Sequence, residues 1–255
     1  MTPTALALFL ALAALAAYVQ TITGFAFGLI LMAGVALGHV MPLPDAAAVV
    51  SALTLVNASQ MMAKGWRHIA WREWRLCVFA SLPLIFVGVE ALAWLAAERM
   101  DWLRLLLAIV IFVACLTVMK PPHPGAEPPA AWTYSAAGVA SGFMSGLFSA
   151  GGPPLVLRFY TSPMPIATIR ETLVSIYAIN AVMRLSFVFA SGAKPPAAAW
   201  WGLLAIPVVM ATTAAARRWP PPIAPATLRL VVTLLLAASG VALGAPGLLR
   251  ILGLN

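Results

Sequence analysis

Two stretches of this chain carry no Lys, Arg, Asp or Glu and are too long to be single membrane spans: Thr4 to Met41 and Ala130 to Leu157. At 1.5 Å per helical residue they reach roughly 55 and 42 Å, against a hydrocarbon core of about 30 Å. Each has to break or fold back. Each also has a glycine-rich centre at which to do so, TGFAFG from Thr23 and SAGG from Ser149. A break at membrane depth leaves backbone amides unpaired, and lipid tolerates that only where the chain lines a cavity or binds something.

The rest of the chain also belongs in a bilayer. Apolar residues make up 63% of the 255 and charged residues 9%, against roughly 25% charge in a soluble domain. The expected product is a multi-pass protein of the bacterial inner membrane. Its longest polar connections, Lys64 to Arg75 and the proline-rich Lys120 to Pro129, are too short for a soluble domain. A net charge of +8 would suggest nucleic acid in a soluble protein. Here the basic residues stand in short loops between apolar spans, so they read as topology signals and no nucleic-acid partner is expected. The N-terminal apolar run lacks a basic leader and is too long for a signal peptide, so it is expected to remain in the mature protein.

Chemistry-bearing residues are sparse. Cys77 and Cys115 lie in apolar segments with no Cys or His at ligand spacing, and His39, His68 and His123 are scattered. No metal and no cofactor is expected. An enzyme is not expected either, because Glu90 is the only deep acid and nothing pairs with it as a dyad. No GxxxxGK[ST] loop is present, which argues against direct energising by nucleotide.

Further apolar segments run from Ala46 to Ala63, Leu76 to Ala97, Leu105 to Met119, Thr172 to Ala193, Pro195 to Ala216 and Leu230 to Leu249. Each approaches the roughly 20 residues of a span, the Leu105 segment being short unless Arg104 and Lys120 snorkel. Trp66, Trp71, Trp74, Trp102, Trp132, Trp200 and Trp219 cluster near segment ends, as interfacial aromatics do. The two halves also match. Met41-Pro42 meets Met164-Pro165 at an offset of 123 residues, which also superposes Asn57 on Asn180 and Gly28 on Gly151. Small slips bring Pro83 onto Pro207 and Leu103-Arg104 onto Leu228-Arg229, and such internal repeats are characteristic of secondary transporters.

Counting crossings distinguishes the kinds of repeat. If each overlong stretch is one span, the repeats are parallel and the basic residues divide seven to seven, with Arg184 inside the membrane. If each breaks into a pair, the repeats are inverted. Lys64, Arg67, Arg72, Arg75, Lys120, Arg158, Arg170, Arg217, Arg218 and Arg229 then face Arg99, Arg104, Lys194 and Arg250, a split of ten to four. Only the second obeys the positive-inside rule. The predicted fold is therefore all-α and polytopic, with a first repeat over 1–120, a proline-rich linker over 121–129 and a second repeat over 130–255. Each repeat contains a broken or re-entrant helix pair plus three transmembrane helices, and both termini lie outside. The count leaves open whether the broken pairs cross the membrane or enter and leave on one side. A homodimer is kept open as the assembly.

The segments QTITGFAFGL from Gln20, RHIAW from Arg67, GLFSAGGPPLVL from Gly146 and INAVMRL from Ile179 resemble the TauE/SafE family of sulfite and sulfonate exporters. The resemblance extends over essentially the whole chain. It implies a secondary transporter for sulfite, for organosulfonates such as sulfoacetate or for other sulfur oxyanions, driven by an ion gradient. Ala26 stands where the family often has glycine, and its methyl would narrow the approach of backbone to ligand. The competing reading is an accessory or channel-type membrane subunit with no cargo of its own.

A small anionic substrate needs donors, and the sequence offers a set. Pro153-Pro154 predicts a helix start near Gly152, because proline is favoured in a first helical turn. The free amides there, with Ser149 and Gly151, would form an anion-binding terminus. Gly24, Phe25 and Gly28 form the counterpart, with Thr23 as N-cap and Gln20 one turn earlier. The alternative is that these glycines, like Gly142 and Gly146, serve close helix packing. Tyr177, Asn180 and Arg184 share a helix face, and a guanidinium at membrane depth needs either an anion or a structural partner such as Glu90 or the carbonyls of a broken helix. Asn57 is the repeat mate of Asn180, with Ser51 and Thr54 on an adjacent strip; ligand contact and interhelical hydrogen bonding both suit these asparagines. Glu90 is the candidate for proton coupling, with snorkelling or pairing as the alternative. Arg158 and Arg170 read as interfacial anchors or as guides for an entering anion.

Overall fold

The computed structural model describes residues 2–119, 129–192, 199–219 and 225–251, and every regular element among them is helical. The first half comprises α1 (Pro3–Thr23), α2 (Phe27–Leu37), α3 (Leu43–Gly65), a 3₁₀ turn (Trp66–His68), α4 (Trp71–Glu98) and α5 (Met100–Met119). The second comprises α6 (Ala131–Phe148), α7 (Gly152–Tyr160), α8 (Ile166–Ala190), α9 (Ala199–Arg218) and α10 (Pro225–Ile251). Among the described residues α1, α3, α4 and α8 each contain a window long and apolar enough to cross a bilayer. Trp66, Trp71, Trp102, Trp132, Trp200 and Trp219 are all exposed near helix ends, where an aromatic belt would place them.

Both overlong stretches break at their glycine centres, and both fold back. A Cβ on Gly34 of α2 would touch Leu12 of α1, and one on Gly38 would touch Leu8, so α2 returns antiparallel along α1. In the second half Tyr134, near the start of α6, stacks edge-on against Phe159 and shares a hydrogen bond with Ser162 beyond the end of α7. That pair is a hairpin too. Each break therefore turns the chain back along the helix it came from.

The halves pack as mates. Exchanging α1–α5 with α6–α10 maps several of the main helix contacts onto one another: α1 packs on α9 as α6 packs on α4, α3 on α9 as α8 on α4, and α5 on α7 as α10 on α2. Mates that meet run antiparallel. In α5 and α10, Ala108 neighbours Gly244 while Cys115 bonds the carbonyl of Thr233. In α3 and α8, Ser51 neighbours Arg184 while Ala58 and Met61 cluster with Val174. The Met-Pro mates behave alike: Pro42 and Pro165 both cap the following helix, with φ of −56° each. Pro83 and Pro207 sit inside the mated helices α4 and α9.

The tightest packing is between α4 and α6. A Cβ on Gly138, Gly142 or Gly146 would lie 2.4, 2.3 or 2.3 Å from the carbonyl oxygen of Cys77, Ser81 or Ile85. Each step advances four residues along both helices, so α4 and α6 are parallel. Gly142 and Gly146 are therefore packing glycines, the reading their four-residue spacing suggested.

Several boundaries differ from expectation. α5 starts at Met100, because Asp101 in its first turn favours the helix N-terminus, and this removes the apparent shortness of the Leu105 segment. α8 starts at Ile166 directly after Pro165, which puts Arg170 and Glu171 in its second turn instead of ahead of it. The linker over 121–129, apart from Pro129, lies outside the described residues, as do Lys120, Lys194 and Pro195.

Candidate functional site

The two hairpin tips meet each other. In the first, Gly24 closes α1 in the left-handed conformation, with φ 80°, and its N–H bonds the carbonyl of Gln20 at 2.7 Å. Ala26 is also left-handed, with φ 80°, and precedes α2 with no side-chain cap of its own. In the second, Ser149 closes α6 with φ 54°, and Gly151 precedes α7, which begins at Gly152 as Pro153-Pro154 predicts. Ala26 and Ser149 are mates at the 123-residue offset and share the same unusual backbone region. A Cβ on Gly28 would lie 2.1 Å from the carbonyl oxygen of Ser149, so only glycine lets the tips come this close.

Thr23 is not the cap of α2. Its hydroxyl donates back to the carbonyl of Val19 at 2.8 Å, a bond available inside its own helix. The cap comes from across the break, where the side-chain oxygen of Gln20 accepts the N–H of Phe27 at 3.2 Å. That bond fixes the amide's orientation: with Oε1 accepting, Nε2 is the donor end.

Between the tips lies a cavity of about 30 Å³, room for about two waters. From the first half it is lined by Gln20, Ala26, Phe27, Gly28, Leu29 and Thr54. From the second it is lined by Ser145, Ser149, Ala150, Gly151, Gly152, Tyr177, Asn180 and Ala181. Two buried lining groups have no hydrogen-bond partner among the described residues, Nε2 of Gln20 and the hydroxyl of Tyr177. A buried polar group left unpaired costs about 1–3 kcal/mol, so two donors on one cavity call for an acceptor inside it. Gly152 faces open space, since a Cβ there would meet only the Tyr177 hydroxyl, at 3.6 Å. The N-termini of α2 and α7 open onto the same space and add the positive ends of two helix dipoles.

Of the sequence candidates, Gln20, Gly28, Ser149, Gly151, Gly152, Tyr177 and Asn180 converge on this cavity, and Gly24, Phe25, Asn57, Arg184 and Glu90 do not line it. Gly24 packs on Arg170, and Phe25 stacks edge-on against Tyr160 with ring centres 6.2 Å apart. Asn57 donates to the hydroxyls of Thr21 on α1 and Thr213 on α9, at 3.2 and 2.8 Å. Asn180 answers it in the other half by donating to Ser145 on α6 at 3.2 Å and accepting from Ser81 on α4 at 2.9 Å. Each asparagine therefore ties its helix to the corresponding pair of neighbours. Arg184 is 1% exposed and spends its Nε on the carbonyl of Gly146, at 3.0 Å, near the end of α6. A cation suits a helix C-terminus, and Nη1 reaches on to Ser51, whose hydroxyl bonds that of Ser149. Glu90 is exposed on the outer side of α4 and is not the partner of Arg184.

Ser145 was not among the sequence candidates. Its signal is the four-residue spacing to Ser149, which puts both hydroxyls on one helix face ahead of the glycine pair.

A family model described as sulfite exporter TauE/SafE matches residues 9–243. A curated relative from Cupriavidus necator, described as a probable sulfite/organosulfonate exporter TauE, is 36% identical over 171 residues, which are 67% of this chain and 66% of that protein. The chain thus spans just under two thirds of that relative's length. No solved structure matches.

Proposed function

The chain belongs to the sulfite exporter TauE/SafE family, and on that premise we propose that it is a secondary transporter exporting a small sulfur oxyanion, sulfite or an organosulfonate such as sulfoacetate. The observation that carries this reading is the pair of unpartnered donors, Nε2 of Gln20 and the Tyr177 hydroxyl, facing one cavity between two helix N-termini. No carboxylate is among the residues that line it. The substrate's oxygens accept from Gln20, Tyr177 and the N–H of Gly152, the one backbone donor among the first three residues of α7. The apolar wall of Phe27, Leu29 and Ala181 suits the carbon end of a sulfonate.

Antiparallel mates and same-end hairpins support an inverted repeat: each half then contributes a re-entrant hairpin and three crossings, over 1–120 and 130–255, with both termini outside. The hairpins enter from opposite faces and their tips meet near the midplane, the usual location of a transporter site. The cavity of about 30 Å³ between the tips is the space that alternating access would enlarge around the oxyanion. A second cavity, of about 210 Å³, is lined by Thr21, Ile22, Met61, Arg170, Glu171, Ala216 and Arg217. Thr21 lines it while the adjacent Gln20 lines the first, so the last turn of α1 is the wall between them. This space is the cytoplasmic vestibule; Arg170, paired with Glu171 at 3.2 Å, and Arg217 stand in its wall and leave it net positive. Arg184 serves the site indirectly by holding the end of α6 and, through Ser51, the second hairpin tip.

Thermal-shift titration of the purified protein with sulfite, sulfoacetate, taurine, thiosulfate and sulfate tests the reading, because a ligand stabilises the state it binds by RT ln(1 + [L]/Kd). Selective stabilisation by sulfite or a sulfonate is expected. A flat response to all five would favour the accessory-subunit alternative.

A further inference from the structure

We propose that the groove between the N-terminal ends of α4 and α6 is a binding site for one anionic phospholipid of the surrounding membrane. The groove has a volume of about 420 Å³ and is lined by Arg72, Arg75, Leu76, Phe79 and Ala80 of α4 with Ala131 and Ser135 of α6. Because α4 and α6 are parallel and in register at Cys77 and Gly138, their first turns stand side by side. Neither start has a side-chain cap, Ala70 and Ala130 being the N-cap residues. Two positive dipole ends thus flank two guanidiniums. Arg72 and Arg75 are exposed and form no ion pair among the described residues. Glu73, the acid on the same turn, is not on the groove's wall.

The groove changes character with depth. Arg72, Arg75, Leu76 and Phe79 follow i, i+3, i+4, i+7 spacing and form one stripe about 10 Å long. Its outer end is basic and its inner end is apolar, with Phe79 68% exposed among the described residues. Trp71 and Trp132, 51% and 72% exposed, stand at the outer end and set it at headgroup level. A phosphate held by the two arginines therefore continues into an acyl chain lying on Leu76 and Phe79, a match that a soluble anion lacks. This site is independent of what the protein transports.

Native mass spectrometry of the purified chain with equimolar phosphatidylglycerol and phosphatidylcholine is the test, with R72Q/R75Q and the groove-filling A80W as variants. One phosphatidylglycerol should be retained in preference, with affinity falling on the order of tenfold or more in R72Q/R75Q and also in A80W. If either variant fails to fold, quenching of wild-type tryptophan fluorescence by brominated phosphatidylglycerol, but not by brominated phosphatidylcholine, gives the same answer. Equal retention of the two lipids would overturn the proposal. So would unchanged retention in both variants, or displacement of the lipid by millimolar inorganic phosphate, which would make this a soluble-anion site.

Discussion

Gly152→Ala separates a glycine that makes room for a ligand from a glycine that only packs. A Cβ at Gly152 would meet a single atom, the Tyr177 hydroxyl at 3.6 Å, which is ordinary contact. The residue opens α7, where alanine is the better helix former by up to about 1 kcal/mol. The variant should therefore fold with unchanged or slightly higher stability. Its methyl, close to a water in size, would occupy about half of a cavity of about 30 Å³. That pushes an oxyanion off the N–H of Gly152 at the start of α7. Losing one charge-assisted hydrogen bond at about 1.5–3 kcal/mol lowers affinity by roughly 10- to 150-fold. Gly28→Ala is the contrast, since its Cβ would lie 2.1 Å from a backbone oxygen and would force the hairpin tips apart. Overpacking of that kind costs about 1–3 kcal/mol. Melting temperature and sulfite or sulfoacetate affinity, measured on both variants, test the reasoning. It is refuted if Gly152→Ala binds like the wild type, or if it loses as much stability as Gly28→Ala.

Three further outcomes follow from the same geometry. Ala26→Gly relieves a left-handed alanine that costs about 1–2 kcal/mol and returns part of that as chain entropy, so a gain of about 0.5–1 kcal/mol is expected in thermal unfolding; a loss would show that the methyl packs favourably. Arg184→Ala removes the donor to the Gly146 carbonyl, and an unpaired buried carbonyl costs about 1–3 kcal/mol. Folded yield should fall while substrate affinity per folded molecule stays within about threefold; a stable variant with no affinity would make Arg184 a ligand contact. A C-terminal fusion should be active with a periplasmic reporter and silent with a cytoplasmic one, because a re-entrant hairpin plus three spans in each half leaves both ends outside; the opposite pattern would remove the inverted topology.

Length and charge carried most of the architecture. Two charge-free stretches too long for one span, an offset of 123 residues and the distribution of Lys and Arg were enough to expect broken pairs in a duplicated all-α chain. Pro153-Pro154 located the start of α7 because proline acts locally, through its own φ and its missing N–H. The start of α2 was less legible: Thr23 looked like the cap, yet the cap is Gln20, seven residues before Phe27 and on the other side of the break. Capping across a left-handed turn leaves no fixed spacing to read. Arg184 shows the same limit. Its depth in α8 announced that it needs a partner, but whether that partner is a ligand or the end of α6 depends on how two helices cross, and a single sequence does not display that. Ser145 escaped notice because serine is common in helices that pack closely, and only the tertiary fold turns its face toward the cavity.

The proposed route of the oxyanion is the space between the hairpin tips. The most direct measurement is flux of labelled sulfite and sulfoacetate in proteoliposomes under an imposed pH or sodium gradient, for the wild type and Gly152→Ala side by side. Saturable, gradient-driven flux is expected in the wild type, with a loss of about tenfold or more in Gly152→Ala at equal protein content. Flux no greater than in protein-free vesicles, or equal flux in the two proteins, would contradict this route.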